Sequence, residues 1–367
     1  MIIGIDNRKI TKNKTGVSYM IDNIFSELFF IDKKNRYKIL GDLIGLGGKN
    51  ISNINLPVFF QKLINFSWRL FYFPPLNFLI GKTHIFFFTN FFVFPVIARK
   101  KILMIPDLSF LKYPEFTQKK NLSFLRSKVG PSIKRSNHIL TISENAKNEI
   151  IEKYGVSEEK ITVIYLGCPK NIKKIKDEKE IEKIKIKYGV KGNYFLFVGT
   201  LEPRKNIEGL IRAYNMLDEK IKDDFRLVIS GGKGWYYDKI FKIVEELGLN
   251  DKVVFTGYVD EEDISYIYSG ASVFIFPSFY EGFGLTILEA FMAGVPVVVS
   301  NNSSLPEVGG DAVVYCQADD IDSIKKGIEK IVNNKDFGDI LIRRGYSQLK
   351  KFSWKNSAEK ILEIINN

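Results

Sequence analysis

Residues 276–300 read FPSFYEGFGLTILEAFMAGVPVVVS, and the predicted fold rests first on this stretch. The apolar run that ends at Phe276 predicts a buried strand. The segment YEGFG at 280–284 then opens a helix predicted over 285–293, and Gly294 follows in the pattern of a helix C-cap. The apolar residues after it predict a second strand. Strand, glycine loop, helix and strand form a parallel β-α-β unit, whose loop and helix N-terminus lie at the edge where ligands bind.

Strand and helix patterns alternate through both halves of the 367-residue chain. This alternation predicts the α/β class, with two doubly wound, Rossmann-like domains that face each other across a cleft. The charged segment 170–187 lacks a strong apolar face and is interpreted as the join. We therefore expect an N-terminal domain over 1–170, a C-terminal domain over 171–350 and a last helical segment over 351–367.

The positive charge of the chain is concentrated in its first half. Residues 1–170 contain 26 Lys and Arg against 12 Asp and Glu, whereas the remainder contains 28 against 30. A basic first domain suggests a polyanionic partner, which could be phosphate-bearing lipid, a membrane surface or nucleic acid. A Lys-rich composition from an A+T-rich genome is the alternative, but it predicts no asymmetry between the halves.

An aromatic segment lies within this basic half. Residues 59–94 hold 12 of the 30 phenylalanines, with Lys62, Arg69 and Lys82 among them. Rings and basic side chains on one surface are typical of proteins that lie on a membrane, whereas a crowded core is the alternative. The core interpretation is favoured for 85–88, and both remain open for 58–73.

The sequence predicts neither a membrane-spanning helix nor a secretory leader. The longest apolar run, 85–98, is interrupted by polar residues and is shorter than the ~17 to 20 residues that a span needs. The first six residues lead directly into a strand pattern. Cys168 and Cys316 are far apart and lack metal-ligand spacing, which fits a reducing cytosol.

Backbone and basic groups predict a diphosphate site in the second half. The loop GTLEPRKN at 199–206 follows a predicted strand and carries Arg204 and Lys205. Arginine can fork two phosphate oxygens and lysine adds a point charge. The helix N-terminus after the YEGFG loop offers backbone N–H groups and a positive dipole end to the same anion. The donor positions at these two loops are Gly199, Phe283, Gly284, Leu285 and Thr286.

Two carboxylates accompany these groups. A carboxylate near phosphates is unfavourable because the like charges repel, so its presence suggests a functional role. Glu289 could accept hydrogen bonds from a pair of ribose hydroxyls. Glu281 could do the same for a sugar. Alternatively, Glu281 is a helix N-terminal acid and Glu289 an ion-pair partner. In the first half, Gly16 has the position of a phosphate or sugar contact and is a further predicted donor-binding residue, although a lone glycine before a helix is more often a turn.

Other site classes are not supported. No G-x-G-x-x-G follows a strand, and Gly81-Lys82-Thr83 lacks the upstream glycine of a phosphate-binding loop. The acid pair at Asp320 and Asp322 is better explained as a helix start than as metal ligands. The whole chain contains two histidines, so it offers few candidates for a His-based metal site or a Ser-His-Asp triad.

Four stretches together resemble the retaining glycosyltransferases of the GT-B fold, the glycosyl transferases group 1 type. PSFYEGFGLTILEAFMAGVPVVVSNNSSLPEVGGDAVVY at 277–315 resembles their donor-site signature, and GTLEPRKN strengthens the match. ISENAKNEIIEKYGVSEEKITVIYLG at 142–167 and IPDLSFLKYPEF at 105–116 extend it over nearly the whole chain. Bacterial mannosyltransferases of O-antigen and capsule assembly form the branch that it resembles most.

This resemblance implies a role for each residue of the donor site. Arg204 and Lys205 would bind the donor diphosphate without a metal or other cofactor, and 283–286 would contact phosphate and sugar. Glu289 would hold the ribose hydroxyls and Glu281 the transferred sugar. The donor implied is a nucleotide-diphosphate sugar, GDP-mannose foremost, and the sugar would be transferred with retention.

The first domain would take the acceptor, a glycan or a polyprenyl-diphosphate-linked glycan, and the helix near Trp354 would cross back onto it. Asp107 matches the family by position only. Members often carry His where Pro106 stands and another in the motif that here reads FFTN at 87–90. Both are absent, so we assign no acid or base there.

The predicted enzyme is cytoplasmic and peripheral at the inner face of the cell membrane, which its basic, Phe-rich domain would contact, and it has no nucleic-acid partner. A sugar-nucleotide epimerase or hydrolase of the same fold is the nearest alternative and would need no acceptor. A basic nucleic-acid-binding protein is the alternative of a different class, and it would show strongly salt-dependent affinity.

Overall fold

The computed structural model describes residues 1–8, 16–41 and 50–367. The chain divides into two compact units, the first made of Met1–Gly167 with Ser353–Asn367 and the second of Cys168–Phe352. Each unit is built on its own parallel sheet with helices between the strands. The predicted α/β class with two doubly wound domains is confirmed.

The sheet of the first unit has seven strands among the described residues, in the order β3-β2-β1-β4-β5-β6-β7. Its central strands β1, β4 and β6 are short, mostly apolar runs that are almost wholly buried, as expected for a parallel sheet that is covered on both faces, whereas the edge strand β3 is polar and partly exposed. The strand order reverses between β1 and β4, so the carboxyl ends of these two strands form the switch point of this sheet. The strands are β1 (Ile2–Asn7), β2 (Arg36–Gly41), β3 (Ile51–Ile54), β4 (Ile85–Phe88), β5 (Lys100–Met104), β6 (His138–Thr141) and β7 (Ile161–Val163).

Amphipathic helices cover this first sheet. The helix over 144–154 has a cap at each end, with the Ser143 hydroxyl accepting from the Ala146 N–H at its start and Gly155 ending it in the left-handed region. The basic helix over 119–135 was not predicted, because frequent Lys and Arg obscure its apolar period. The helices are α1 (Gly16–Ile31), α2 (Val58–Leu70), α3 (Asn77–Ile80), α4 (Ser109–Lys112), α5 (Lys119–Arg135) and α6 (Glu144–Tyr154).

The sheet of the second unit has six strands in the order β10-β9-β8-β11-β12-β13. Its order reverses between β8 and β11, so the segment at 199–206 and the YEGFG loop both leave the sheet at its switch point. The strands are β8 (Asn193–Val198), β9 (Phe225–Ser230), β10 (Val253–Gly257), β11 (Val273–Phe276), β12 (Val297–Ser300) and β13 (Val313–Cys316).

The helices of the second unit follow the predicted alternation with several differences. Within 170–187 only the part from Glu178 is helical, with Asp177 as its N-cap. The helices over 219–224, 305–309 and 335–349 were not predicted. The helices are α7 (Glu178–Lys187), α8 (Ile207–Asn215), α9 (Glu219–Asp224), α10 (Asp238–Glu246), α11 (Ile264–Ser269), α12 (Leu285–Met292), α13 (Leu305–Gly309), α14 (Ile321–Val332) and α15 (Lys335–Leu349).

The last helix, α16 (Trp354–Asn366), belongs to the first unit, where it packs against α1. The rings of Tyr19 and Trp354 meet edge to face with centroids 6.1 Å apart. The Lys100 ammonium donates to the carbonyl of Ile364 at 2.6 Å. A Cβ on Gly167 would lie 2.4 Å from the Trp354 ring, so this close approach requires glycine.

The aromatic segment of the first unit has two different environments. Residues of β4 are buried in the sheet, which confirms the core interpretation for 85–88. On α2, Ile64 and Trp68 are buried, whereas Phe59 and Phe66 are exposed. Among the described helices, none combines the length and the apolarity that crossing a membrane requires.

Candidate active site

Two loops at the switch point of the second sheet are held against each other. The Phe279 N–H donates to the Arg204 carbonyl at 2.9 Å. The Asn206 amide donates to the carbonyls of Pro277 at 3.0 Å and Ala318 at 2.6 Å. Asn206 is left-handed, with φ 54°, and begins α8. These bonds place the residues that follow β8 beside those that follow β11.

Four charged side chains meet where these loops touch. Arg204 Nη1 donates to Glu281 Oε2 at 3.0 Å and to the carbonyl of Tyr280 at 2.6 Å. Its Nη2 donates to Glu202 Oε1 at 2.6 Å, and Lys205 Nζ donates to Glu281 Oε1 at 2.7 Å. The predicted residues Arg204, Lys205 and Glu281 are therefore in one cluster, in which two carboxylates balance two cations.

The electrostatics of the cluster keep Glu281 ionised. Burial would raise the pKa of this carboxyl, but Arg204 and Lys205 outweigh burial and lower it to about 2. Burial lowers the pKa of the Lys205 ammonium, and Glu281 opposes that effect. The ammonium also lies 4.8 Å from the centre of the Phe276 ring. A further anion that approached here would meet two cations already in position, each of them paired with a carboxylate.

Glycines allow the loops to approach closely. Gly231, which follows β9, has φ 148°, and a Cβ on it would lie 1.9 Å from the carbonyl oxygen of Gly199. The predicted donor residue Gly199 therefore packs against the neighbouring loop through its backbone. Gly284 has φ 110° at the start of α12, where a Cβ would meet Leu305 at 3.0 Å.

The N-terminus of α12 presents polar atoms at the same edge. Phe283 and Gly284 lead into the helix, and Leu285 and Thr286 form its first turn. The first N–H groups of any helix lack intrahelical acceptors. The Thr286 hydroxyl oxygen is buried and has no hydrogen-bond partner among the described residues. An unsatisfied buried hydroxyl is costly, and a bound polar ligand would satisfy it.

Glu289 lies farther along α12 with a separate partner. The Tyr268 hydroxyl on α11 donates to Glu289 Oε2 at 2.7 Å. Burial raises the pKa of this carboxyl to about 7, and the hydrogen bond from Tyr268 opposes the rise. Glu289 therefore exchanges a proton near neutral pH, in contrast to Glu281.

Gly16 and Asp107 belong to the other unit. Gly16 is exposed and begins α1, and the preceding Thr15 lies outside the described residues. Asp107 Oδ1 accepts from the Ser109 N–H at 2.9 Å and so holds the turn before α4. Asp107 comes after β5, on the carboxyl side of that strand.

Sequence reasoning missed Glu202 and Tyr268. Glu202 stands two residues before Arg204 in the GTLEPRKN loop, and a buried arginine needs such a counter-charge, so the motif contained a usable signal. Tyr268 offered none, because only the fold brings α11 beside α12. Ser303 and Ser304 were also missed: the Glu281 N–H donates to the Ser303 hydroxyl at 3.0 Å, and the Ser304 hydroxyl lies 2.8 Å from the Glu281 carbonyl.

Metal ligands do not assemble in the described part of the chain. Within residues 1–8, 16–41 and 50–367, no group of three His, Cys, Asp or Glu side chains has the geometry to hold a metal ion. Asp320, one of the acid pair, caps α14 by accepting from the Ser323 N–H at 3.1 Å. The interpretation of this pair as a helix start is confirmed.

Known proteins resemble this chain in both sequence and fold. Residues 178–348 match the family described as "Glycosyl transferases group 1". The O-antigen chain mannosyltransferase B of Escherichia coli is 35% identical over 276 residues, which are 75% of this chain and 72% of that protein. The O-antigen chain mannosyltransferase RfbU of Salmonella typhimurium is 32% identical over 261 residues, 70% of this chain and 68% of that protein.

A solved structure shows the same arrangement of elements. The sucrose-phosphate synthase of Thermosynechococcus elongatus superposes with a TM-score of 0.77 at 16% identity and covers 100% of this chain and 98% of its own. At that identity the likeness is one of fold, the two-domain GT-B arrangement of parallel sheets.

Proposed function

The chain belongs to the glycosyl transferases of group 1, and from this premise we propose that it moves mannose from a nucleotide-diphosphate sugar to a glycan or lipid-linked glycan in surface polysaccharide assembly. That it is a glycosyltransferase follows from the family. The choice of mannose and of O-antigen-like products is supported by the names of two relatives that are similar over most of their length.

The observation that carries the proposal is the charged cluster at the switch point. Arg204 and Lys205 lie together beside the N-terminus of α12, and Glu281 is their common counter-charge. When the bond between the anomeric carbon and the diphosphate oxygen breaks, negative charge grows on the diphosphate. Two fixed cations and a helix N-terminus stabilise that charge, which is the kind of effect that usually dominates such catalysis.

We propose a same-face reaction with retention of the anomeric configuration. The acceptor hydroxyl oxygen forms the new bond on the face that the diphosphate leaves, and its proton passes to the departing phosphate oxygen. Glu281 is proposed to contact the transferred sugar, as the family resemblance implies. Its carboxylate stays ionised beside the two cations and can therefore accept hydrogen bonds from sugar hydroxyls. The backbone of 283–286 and the Thr286 hydroxyl contact the phosphate and the sugar.

Glu289 is proposed to hold the donor ribose. Its carboxylate oxygens can accept from two neighbouring hydroxyls, and Tyr268 occupies one side of Oε2. GDP-mannose is the proposed donor. Because Arg204 and Lys205 supply the positive charge, the proposed reaction needs no metal or other cofactor.

The first unit is proposed to receive the acceptor, a glycan or a polyprenyl-diphosphate-linked glycan. Asp107 follows β5 at the carboxyl end of that strand, on the edge where ligands bind in open parallel sheets. We propose that the protein works in the cytoplasm, peripherally at the inner face of the cell membrane, where a lipid-linked acceptor would be found.

A thermal-shift screen against GDP-, UDP- and dTDP-sugars tests the donor. A ligand at 100 times its Kd stabilises a protein by about 2.7 kcal/mol, so the true donor stands out. Only GDP-mannose is expected to give a shift of this size. A matched shift with GDP-glucose would leave the sugar unassigned, and a shift with UDP-sugars alone would contradict the proposal.

Transfer is separated from the alternative reactions by following donor consumption. The proposed enzyme consumes donor only when an acceptor glycan is present, and the product anomer, read by NMR, matches that of the donor. An epimerase or hydrolase would consume donor at the same rate without acceptor.

A further inference from the structure

One face of the first unit exposes large apolar side chains. On α2, Ile64 and Trp68 point into the core, whereas the opposite side of the helix carries exposed Phe59, Leu63 and Phe66. Phe59 is 72% exposed. A helix that buries one side and leaves aromatic rings on the other is typical of helices that lie in a membrane interface.

The same face continues beyond α2. The Trp68 indole N–H donates to the Pro74 carbonyl at 2.6 Å, which fixes the turn after α2 against the helix. In α3, Phe78 is 73% exposed. The Ile97 N–H donates to the Asn77 amide oxygen at 2.6 Å, so exposed Ile97 lies beside α3. We call this surface the aromatic face; it consists of Phe59, Phe60, Leu63, Phe66, Phe71, Phe73, Phe78 and Ile97.

All eight side chains of the aromatic face are more than half exposed. Soluble monomers rarely expose contiguous apolar patches beyond a few hundred Å², and larger ones mark interaction sites. Its rings also pack on one another, since the centroids of Phe73 and Phe78 are 6.1 Å apart. The rings are therefore held at the surface as a group.

Positive charge surrounds the aromatic face. The sequence contains no Asp or Glu between Asp42 and Asp107. Lys82 and Arg99 are exposed next to α3 and Ile97. Helix α5 carries six Lys and Arg residues and no acid, and its Arg135 guanidinium lies over the Tyr72 ring at 4.2 Å. The basic helix is thus continuous with the aromatic face.

We propose that the aromatic face docks on an anionic phospholipid bilayer. The rings enter the headgroup boundary while the surrounding Lys and Arg meet lipid phosphates. A second copy of the chain fits less well, because two such faces would bring like charges together. Nucleic acid would use the basic groups but would leave aliphatic Leu63 and Ile97 uncovered. The inference rests on the proposed function in that a lipid-linked acceptor gives membrane docking its purpose.

Vesicle co-sedimentation of the full-length protein tests the proposal. One set of vesicles is phosphatidylcholine alone, and the other also contains phosphatidylglycerol. We expect binding to the anionic vesicles that falls at least about tenfold in the double variant Phe66→Glu, Phe78→Glu, because burying one such ring contributes about 1.5–3 kcal/mol. Ile186→Glu is the matched control: Ile186 is 68% exposed, but on α7 of the other unit, and its variant should bind as the wild type does.

A second variant separates the charge from the rings. Lys134→Gln with Arg135→Gln removes two exposed cations at the end of α5 that contacts the Tyr72 ring, and should weaken binding to anionic vesicles while leaving the weaker binding to phosphatidylcholine unchanged. Circular dichroism confirms that each variant is folded. Thermal shift with GDP-mannose reports the donor site independently of lipid, so failure to dock and failure to bind donor are distinguished.

Three results would overturn the proposal. The first is equal sedimentation of wild type and the aromatic double variant. The second is a wild-type dimer in sedimentation velocity that the same variant disperses, which would assign the face to self-association. The third is tight, salt-dependent binding of a single-stranded oligonucleotide that the variant abolishes, with no vesicle binding.

Discussion

The Tyr268 hydroxyl donates a hydrogen bond of 2.7 Å to Glu289 Oε2, across the contact between α11 and α12. Tyr268 is fully buried, so its ring cannot turn away without disturbing the core. Glu289 is therefore held in one orientation by a residue outside every motif that the sequence displayed. Burial raises the pKa of its carboxyl to about 7, so the proposed role of Glu289 predicts that donor binding depends on pH near neutrality.

Tyr268→Phe should shift the pH dependence of donor use. The hydrogen bond favours the charged carboxylate, so its loss raises the pKa of Glu289 and moves the rising limb of kcat/KM for the donor to higher pH. One such bond contributes about 1 kcal/mol, so we expect a KM for donor roughly fivefold higher at neutral pH, with kcat changed less. Tyr266→Phe, on the same helix, is the control. An unchanged pH profile in Tyr268→Phe would mean that the bond has no part in donor binding.

Glu289→Gln should stabilise the free protein and weaken donor binding. The folded-state pKa of about 7 lies above the unfolded value of 4.5, so the folded state binds the proton more tightly and stability falls as pH rises through this window. The amide carries no buried charge, and at about pH 8 the variant should gain on the order of 1–2 kcal/mol in the free energy of unfolding.

Urea unfolding at about pH 8 and at about pH 5 tests this direction of the pH dependence. The difference in the free energy of unfolding between Glu289→Gln and wild type should be smaller at the lower pH. Donor affinity is measured alongside by calorimetry. A variant that is less stable than wild type at the higher pH would contradict this account of Glu289.

Lys205→Ala should slow turnover by about 100-fold or more, since it removes a cation that stabilises the leaving diphosphate. Lys252→Ala is the matched control: Lys252 pairs with Asp223 at 2.5 Å and precedes β10, at the opposite edge of the sheet. Steady-state kinetics with saturating acceptor give the comparison. A near-normal rate would remove Lys205 from the mechanism.

Gly231→Ala should damage the site, whereas Gly232→Ala should not. A Cβ on Gly231 would lie 1.9 Å from the Gly199 carbonyl oxygen, and φ of 148° strains any other residue. A Cβ on Gly232 would meet nothing within 4 Å. We expect the free energy of unfolding, measured by thermal unfolding, to fall by at least about 2–3 kcal/mol in Gly231→Ala and to change little in Gly232→Ala. Similar unfolding temperatures for the two would show that the loops can separate at little cost.

The contacts that could be predicted from the sequence are those that local strand and loop patterns place. Arg204 and Glu281 follow two apolar strands, and the carboxyl ends of parallel strands share one edge, so their meeting was predictable. The contact between Gly199 and Gly231 was not, because it depends on β9 being the neighbour of β8. The hydrogen bond from Tyr268 to Glu289 could not be predicted either, because it joins two helices whose packing depends on the order of the strands.

Strand and helix periodicities and glycine loops act over a few residues, so the α/β class, the two-domain division and the motifs at the switch point of the second sheet can be read from the sequence. Three features depend on tertiary structure instead: which side of α2 stays exposed, the pairing of Glu202 with Arg204, and the orientation of Glu289 by Tyr268. The sequence does not distinguish an apolar residue that a neighbouring element buries from one that stays exposed. Coverage and pairing depend on elements distant in the chain, which come together only when the sheets order their strands.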